Sequence, residues 1–241
     1  MIPRETLVQA ARRGQTTELN LAREYCQHLF LGAFYREKGS ERVMFKGGTA
    51  LRLIHGSPRF SEDLDFSGFG VTVGNIEDWV ASAAGELESN AISVSLTESK
   101  KTSGGYLGIL SCPVHDIPVQ IQIQISLRRR NHLRGRGVLL TPELVPAYTL
   151  TQLPDQMLVE EKLKALLSRG KPRDFFDLYF MLRKGLVQPE MMSHLRRAKD
   201  ALMASKIDFA QDLTPFLPRS YALIVKDFRK TLLEELASHG L

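Results

Sequence analysis

The stretch FKGGTALRLIHGSPRFSEDLDFS, residues 45–67, places two glycines and a threonine a short distance before two aspartates. The apolar residues before Gly47 predict a short strand, and TALRLIHG predicts a helix that begins at Thr49. Further on, Asp63 and Asp65 alternate with apolar residues, which is typical of a strand with both carboxylates on one face. The stretch therefore predicts a strand, a glycine turn, a helix and a second strand.

This order of residues suits the binding of a nucleoside triphosphate. Gly47 and Gly48 lack a Cβ, so several backbone N–H groups can point at one anion, and a helix starting at Thr49 adds its dipole and a hydroxyl. Two aspartates on one face can hold Mg²⁺ or Mn²⁺, because these hard ions prefer carboxylate oxygens. Either feature alone is more often a turn or a solvated strand. Both in this order, with Ser61 before the acids, favour phosphoryl transfer.

A second polar cluster lies in VEEKLKALLSRGKPRDFFDLYFML, which predicts two packed helices joined by a Gly-Lys-Pro turn. Lys162 can reach a phosphate as a point charge, and Asp174 and Asp177 share one face of the second helix. Arg169 and Arg173 can pair with these aspartates or add to the phosphate field. The alternative is a helical hairpin with surface ion pairs, in which Arg173 and Asp177 form a purely structural i,i+4 pair.

Length and pattern predict an α+β fold. The 241 residues begin with helical periodicity, continue with alternating α and β signals near residues 40–140, and end in helices. We expect a small mixed or antiparallel sheet flanked by helices, with a helical C-terminal lobe. The predicted division is a core at 1–140 with a helical N-terminal region, and a helical lobe at 141–241 that completes the active-site cleft.

The charge pattern favours an anionic partner. The net charge is +5 and the pI is near 9.2. A basic run lies between the sheet residues and the second cluster, and it is either a positive track for RNA phosphates or a solvated loop. This run contains Arg128, Arg129, Arg130, His132, Arg134 and Arg136. With no signal peptide and no apolar run long enough to cross a bilayer, the sequence predicts a cytoplasmic protein.

Together, the two clusters resemble the AbiEii/AbiGii nucleotidyltransferase toxins, which include the MenT toxins, within the DNA polymerase β-like superfamily. The similarity extends from the N-terminal IPRETLVQAARRG and YCQHLFLGAF through both clusters in order, over residues 2–182. It implies transfer of NMP from an NTP to an acceptor hydroxyl at the 3′ end of tRNA, growth arrest, and an antitoxin partner. It also implies that Lys162 binds the nucleotide's phosphates and that Asp177, with Asp174 as second candidate, is an essential acid.

One feature departs from the superfamily pattern. Many of these enzymes carry a third carboxylate on a later strand, where this chain reads VQIQIQIS with Gln122 or Gln124 in place of an acid. An amide supplies no charge to a metal and cannot act as a base. Either the essential aspartate of the second cluster takes over or the site is weakened, and Asp116 is a remoter candidate. The missing acid leaves open a non-catalytic protein that binds nucleotide or RNA. Phosphate transfer to a protein, including the chain itself, also stays open, because the same site could present the γ-phosphate.

Overall fold

The computed structural model describes residues 1–129 and 133–241 and divides the chain into two compact units. Unit 1 comprises Met1–Gly56 and Phe60–Leu153, and unit 2 comprises Ser57–Arg59 and Pro154–Leu241. Unit 2 therefore includes a three-residue segment that interrupts unit 1 in sequence.

Unit 1 begins with two helices and contains two more between its strands. Thr17 and Thr72 cap two of them, each accepting a hydrogen bond from a backbone N–H of the first turn. At Thr72 the side chain of Asn75 returns the bond, which completes a capping box. The helices are α1 (Arg4–Arg13), α2 (Glu18–Phe34), α3 (Gly47–Leu53) and α4 (Val73–Ser89).

In the described residues of unit 1, seven strands form one mixed sheet. They are β1 (Val43–Lys46), β2 (Asp63–Phe69), β3 (Ser95–Thr102), β4 (Gly105–Ser111), β5 (Gln120–Arg128), β6 (Arg136–Leu140) and β7 (Tyr148–Gln152). Their order is β3-β4-β5-β2-β1-β7-β6. The pairs β2–β5 and β1–β7 are parallel, and the other neighbours are antiparallel. The predicted α+β class with a mixed sheet is confirmed.

The two faces of this sheet differ in chemistry. On the apolar face, Phe45 lies opposite Phe66, and the Phe66 ring packs 5.5 Å from that of Phe34 in α2. Trp79 of α4 packs edge-on against the same Phe34 ring, so both helices cover this face. Side chains alternate between the two faces along β2, so Asp63 and Asp65 both lie on the opposite face. We call this face the polar face.

Unit 2 is helical. Its first helix ends at Gly170, which adopts a left-handed φ of 57°, and Pro172 starts the next, as the Gly-Lys-Pro sequence predicts. Phe176 and Phe228 stack with ring centroids 5.7 Å apart in the core of the unit. The helices are α5 (Asp155–Arg169), α6 (Pro172–Arg183), α7 (Met192–Ala204), α8 (Phe209–Leu213), α9 (Ala222–Lys226) and α10 (Phe228–Ser238).

The sheet extends further along the chain than the sequence pattern indicates. The predicted division at residue 140 precedes β7, whereas unit 1 continues to Leu153, whose N–H bonds to the carbonyl of Phe45 in β1. None of the helices in the described parts of the chain is long and apolar enough to span a membrane.

Candidate active site

Gly47 is the first residue of α3, directly after β1, and it lies against Asp65. Its φ is +86°, a left-handed conformation that favours glycine. A Cβ at this position would lie 2.4 Å from Asp65 Oδ2 and 2.8 Å from Asp65 Cβ. Both the backbone conformation and the available space therefore require glycine, and the predicted phosphate turn lies in contact with a predicted metal ligand.

The two aspartates lie together on the polar face of β2, and both are half-buried. On the neighbouring strand β5, Gln122 lies beside Asp63 and Gln124 beside Asp65 in direct register. The structure thus places both glutamines where the third carboxylate was expected. Carboxylate oxygens fit Mg²⁺ by chemistry. In the described residues no group of three His, Cys, Asp or Glu side chains could hold a metal, so Mg²⁺ here would take further oxygens from substrate and water.

Thr49 has a different partner from the predicted phosphate. Its side chain is buried, and its hydroxyl donates a hydrogen bond to the backbone carbonyl of Asp63. This bond joins the first turn of α3 to the start of β2. In the structure Thr49 therefore positions the strand that carries the aspartates.

The buried side chain of Gln27 in α2 binds the backbone segment that leads into β2. Gln27 Nε2 donates to the carbonyls of Ser61, at 3.0 Å, and Glu62, at 3.1 Å. Arg23 pairs with the Glu62 carboxylate at 3.3 Å. Sequence reasoning missed Gln27, although a glutamine inside the apolar run YCQHLF was an available signal. The backbone of Ser61, a predicted phosphate ligand, is thereby fixed.

A cationic cluster surrounds Asp177 in unit 2. Arg59 donates to both carboxylate oxygens, at 2.9 and 3.0 Å, and Lys162 Nζ donates to Oδ2 at 2.7 Å. Asp177 is 1% exposed and Arg59 is 3% exposed. Burial alone would raise the pKa of Asp177, but the two cations outweigh it and hold the pKa below its usual value. Asp177 thus takes its cations from segment 57–59 and α5, instead of forming the i,i+4 pair with Arg173.

Asp174 closes the turn between α5 and α6. Arg169 donates to its two oxygens at 2.8 and 2.7 Å, and the backbone N–H of Lys171 donates to Oδ2 at 3.2 Å. The carboxylate is buried. Asp174 therefore caps α6. Asp177, in contrast, interacts with Lys162, the predicted phosphate ligand.

The predicted basic run is split between two strands. Arg128 ends β5 and lies 3.5 Å from the hydroxyl of Ser67. Arg136 begins β6 and donates to the buried Gln152 at 2.8 Å. Arg134 and Arg129 are exposed, and Arg130 and His132 lie outside the described residues.

His55 and Asp116 have partners that are distant in sequence. His55 is hydrogen-bonded through Nε2 to the Gln152 amide of β7 at 2.9 Å. Asp116 is 72% exposed and pairs with Arg4 of α1. It is thus an exposed ion-pair residue.

Comparison with known proteins agrees with the family that the motifs predict. Residues 29–238 match the family described as nucleotidyl transferase AbiEii toxin, type IV TA system. Curated protein sequences gave no significant match.

Solved structures show the same fold. JHP933 from Helicobacter pylori has a TM-score of 0.59 and 21% identity, over 93% of this chain and 96% of that one. MenT4, a nucleotidyltransferase toxin from Mycobacterium tuberculosis H37Rv, has a TM-score of 0.61 and 15% identity, over 97% and 90% of the two chains.

Proposed function

Since this chain belongs to the AbiEii family of nucleotidyltransferase toxins, we propose that it transfers NMP from an NTP to the 3′ hydroxyl of an RNA, with tRNA as the acceptor. The family belongs to a toxin–antitoxin system, and we infer that a cognate antitoxin counteracts this activity. NTPs and tRNA are cytoplasmic substrates, so the reaction belongs in that compartment.

The observation that carries the proposal is the contact between the glycine turn and Asp65. Gly47 leaves no room for a Cβ beside this carboxylate, so a phosphate on the turn would lie close to any metal that Asp63 and Asp65 hold. A bound Mg²⁺ would neutralise charge on the triphosphate as its α–β bond breaks. Gly48 and Ser61 complete the proposed phosphate site.

The proposed transfer forms one bond to phosphorus and breaks another. The acceptor oxygen forms a bond to the α-phosphorus, and the bond to the bridging oxygen breaks, so pyrophosphate leaves with the electron pair. The attacking hydroxyl must lose its proton. The amides of Gln122 and Gln124 cannot accept it, whereas the carboxylates beside them in register can.

For unit 2 we assign Lys162 to the phosphate tail of the nucleotide and Asp177 to positioning that lysine. The assignment is supported by the 2.7 Å bond between them and by the burial of Asp177, both of whose oxygens already accept bonds from cations. Asp177 is then needed for activity without touching the reacting atoms. Asp174 supports the same helix pair through its cap.

The test is to incubate the protein with total tRNA, Mg²⁺ and each α-³²P-labelled NTP in turn. Asp65→Asn and Lys162→Ala should abolish labelling of RNA, while Asp78→Asn, at an exposed site on α4, should not change it. Label that enters protein instead of RNA would contradict the proposal that RNA is the acceptor.

Parallel reactions with γ-³²P-labelled NTP distinguish nucleotidyl transfer from the two alternative functions, phosphate transfer and non-catalytic binding. Phosphate in protein from the γ position would establish a phosphotransferase. Nucleotide binding with no transfer from either position would establish a non-catalytic binding protein.

A further inference from the structure

An open groove of about 560 Å³ lies on the polar face of the sheet, beyond Asp65 along β2. Its floor includes Met44 and Thr151. Met44 lies opposite Ser67 in register, and Ser67 follows Asp65 by two residues, so the floor and the aspartates share one face. The groove therefore opens on the same face of the sheet as the candidate active site. All the residues that line it belong to unit 1.

Two glycines of the β6 region, Gly135 and Gly137, line the groove. At Gly135 a Cβ would lie 2.3 Å from Thr151 Cγ2, so the backbone passes directly over the sheet. At Gly137 a Cβ would meet no heavy atom within 4 Å, which leaves open space above that strand. At these two positions an extended chain can approach the protein backbone closely, because neither glycine carries a Cβ.

Positive charge dominates the borders. Arg42 and Arg134 are exposed and line the groove, together with one acid, Glu41. Arg42 is oriented by a 3.5 Å bond to the carbonyl of Gly70. Arg128, whose Nε lies 3.5 Å from Ser67, carries the positive charge back toward the aspartates. Guanidinium groups in series bind successive phosphates well, because each can donate two parallel hydrogen bonds.

The distance along β2 from Asp65 to the groove determines how many nucleotides an RNA strand needs to reach it. From Asp65 to Phe69, which also lines the groove, the chain advances four residues of β2, or about 13 Å at the rise of a strand. A stacked nucleic-acid strand advances about 3.4 Å per nucleotide, so this span equals about four nucleotides. Building on the function proposed above, we propose that the groove binds the phosphodiester backbone of the acceptor RNA about four nucleotides from its reacting 3′ end.

The experiment compares 5′-labelled single-stranded RNAs of about three and about twelve nucleotides by fluorescence anisotropy, at several salt concentrations. The variant is Arg42→Gln/Arg134→Gln, and the matched control is Arg12→Gln, at an exposed site on α1. The double variant should bind the longer RNA at least about tenfold more weakly, with a salt slope smaller by about 1.4 for two lost contacts. Its binding of the shorter RNA and of NTP should equal that of the wild type.

Equal binding of the longer RNA by the double variant and the wild type would overturn the groove. So would an equal loss with both RNA lengths, which would indicate a general effect of charge. Transfer assays separate the two proposals. If wild type labels RNA and the double variant labels long RNA equally well, only the groove is wrong. If wild type labels protein instead, the RNA acceptor and the groove both fail.

Discussion

The substitution Gly47→Ala tests the contact between the glycine turn and Asp65. Two costs arise at this position. The backbone has a φ of +86°, where a residue with a Cβ loses about 1–2 kcal/mol. The new Cβ would also meet Asp65 Oδ2 at 2.4 Å.

The second cost can be converted into a displacement. Ordinary contact for a Cβ begins at 3.4 Å, so the carboxylate must move by 3.4 − 2.4, roughly 1 Å. A misplacement of about 1 Å in a reacting group can lower turnover by about 10²-fold. We therefore expect Gly47→Ala to lose about two orders of magnitude in nucleotidyl transfer, while its free energy of unfolding falls by at least the backbone cost of about 1–2 kcal/mol, since the contact adds to that cost.

Gly56→Ala is the matched control. Gly56 has a φ of +79°, and a Cβ there would meet nothing within 4 Å. This variant carries a similar backbone cost of about 1–2 kcal/mol without the contact, so it should lose about that much stability and keep its activity. Denaturant titration and transfer of labelled NMP measure the two quantities. Two results would refute the argument: wild-type turnover in Gly47→Ala, or an equal loss of turnover in Gly47→Ala and Gly56→Ala.

Two further predictions concern buried charge. Asp177→Asn should lower the free energy of unfolding by about 3–5 kcal/mol, because its two cationic partners stay buried without a counter-charge. In denaturant titrations the exposed control Asp200→Asn should change it by less than about 0.5 kcal/mol, and a similar value for Asp177→Asn would contradict the prediction. The pKa of His28 is lowered to about 4, mainly by burial, with Arg52 adding to this and Glu24 opposing it. Unfolded histidine titrates near 6.5, so the unfolded chain binds the extra proton between these values, and the free energy of unfolding should fall by about 3 kcal/mol as pH drops from about 6.5 to 4. His28→Phe should remove that part of the slope in unfolding titrations across this pH range, and an unchanged slope would show that His28 is not its source.

The local features of the candidate site could be predicted from the sequence. Glycines, helix start and alternating aspartates lie within residues 45–67, and each depends on backbone geometry over a few residues. The Gly-Lys-Pro turn and the two helices around it were equally local. The type and order of these elements are therefore predicted correctly. The predicted helix start at Thr49 is wrong by two residues, because α3 begins at Gly47 and both glycines form its first turn.

The partners of these residues could not be predicted, because they come from distant parts of the chain. Arg59 lies 118 residues from Asp177 in sequence, and RFSED contains no sign that its arginine would be buried. The strand β7 was missed for a related reason. YTLTQ is short, and its pairing with β1 is parallel, which no local turn signals. The hydroxyl of Thr49 was predicted to bind phosphate, since only the fold shows that Asp63 presents a carbonyl to it.

The pairing of Arg59 with Asp177 has a consequence during synthesis of the chain. A ribosome adds about 5–20 residues per second, so the 118 residues between them take roughly 6–24 s to translate. Throughout that interval the nascent chain lacks the Asp177 carboxylate to which Arg59 donates two hydrogen bonds in the folded protein, and burying the guanidinium without that carboxylate would be costly. We therefore expect segment 57–59 to stay hydrated during this interval, while β1 and β2 on either side of it are already available to pair. Segment 57–59, which belongs to unit 2, then reaches its final position only after the last third of the chain has been made.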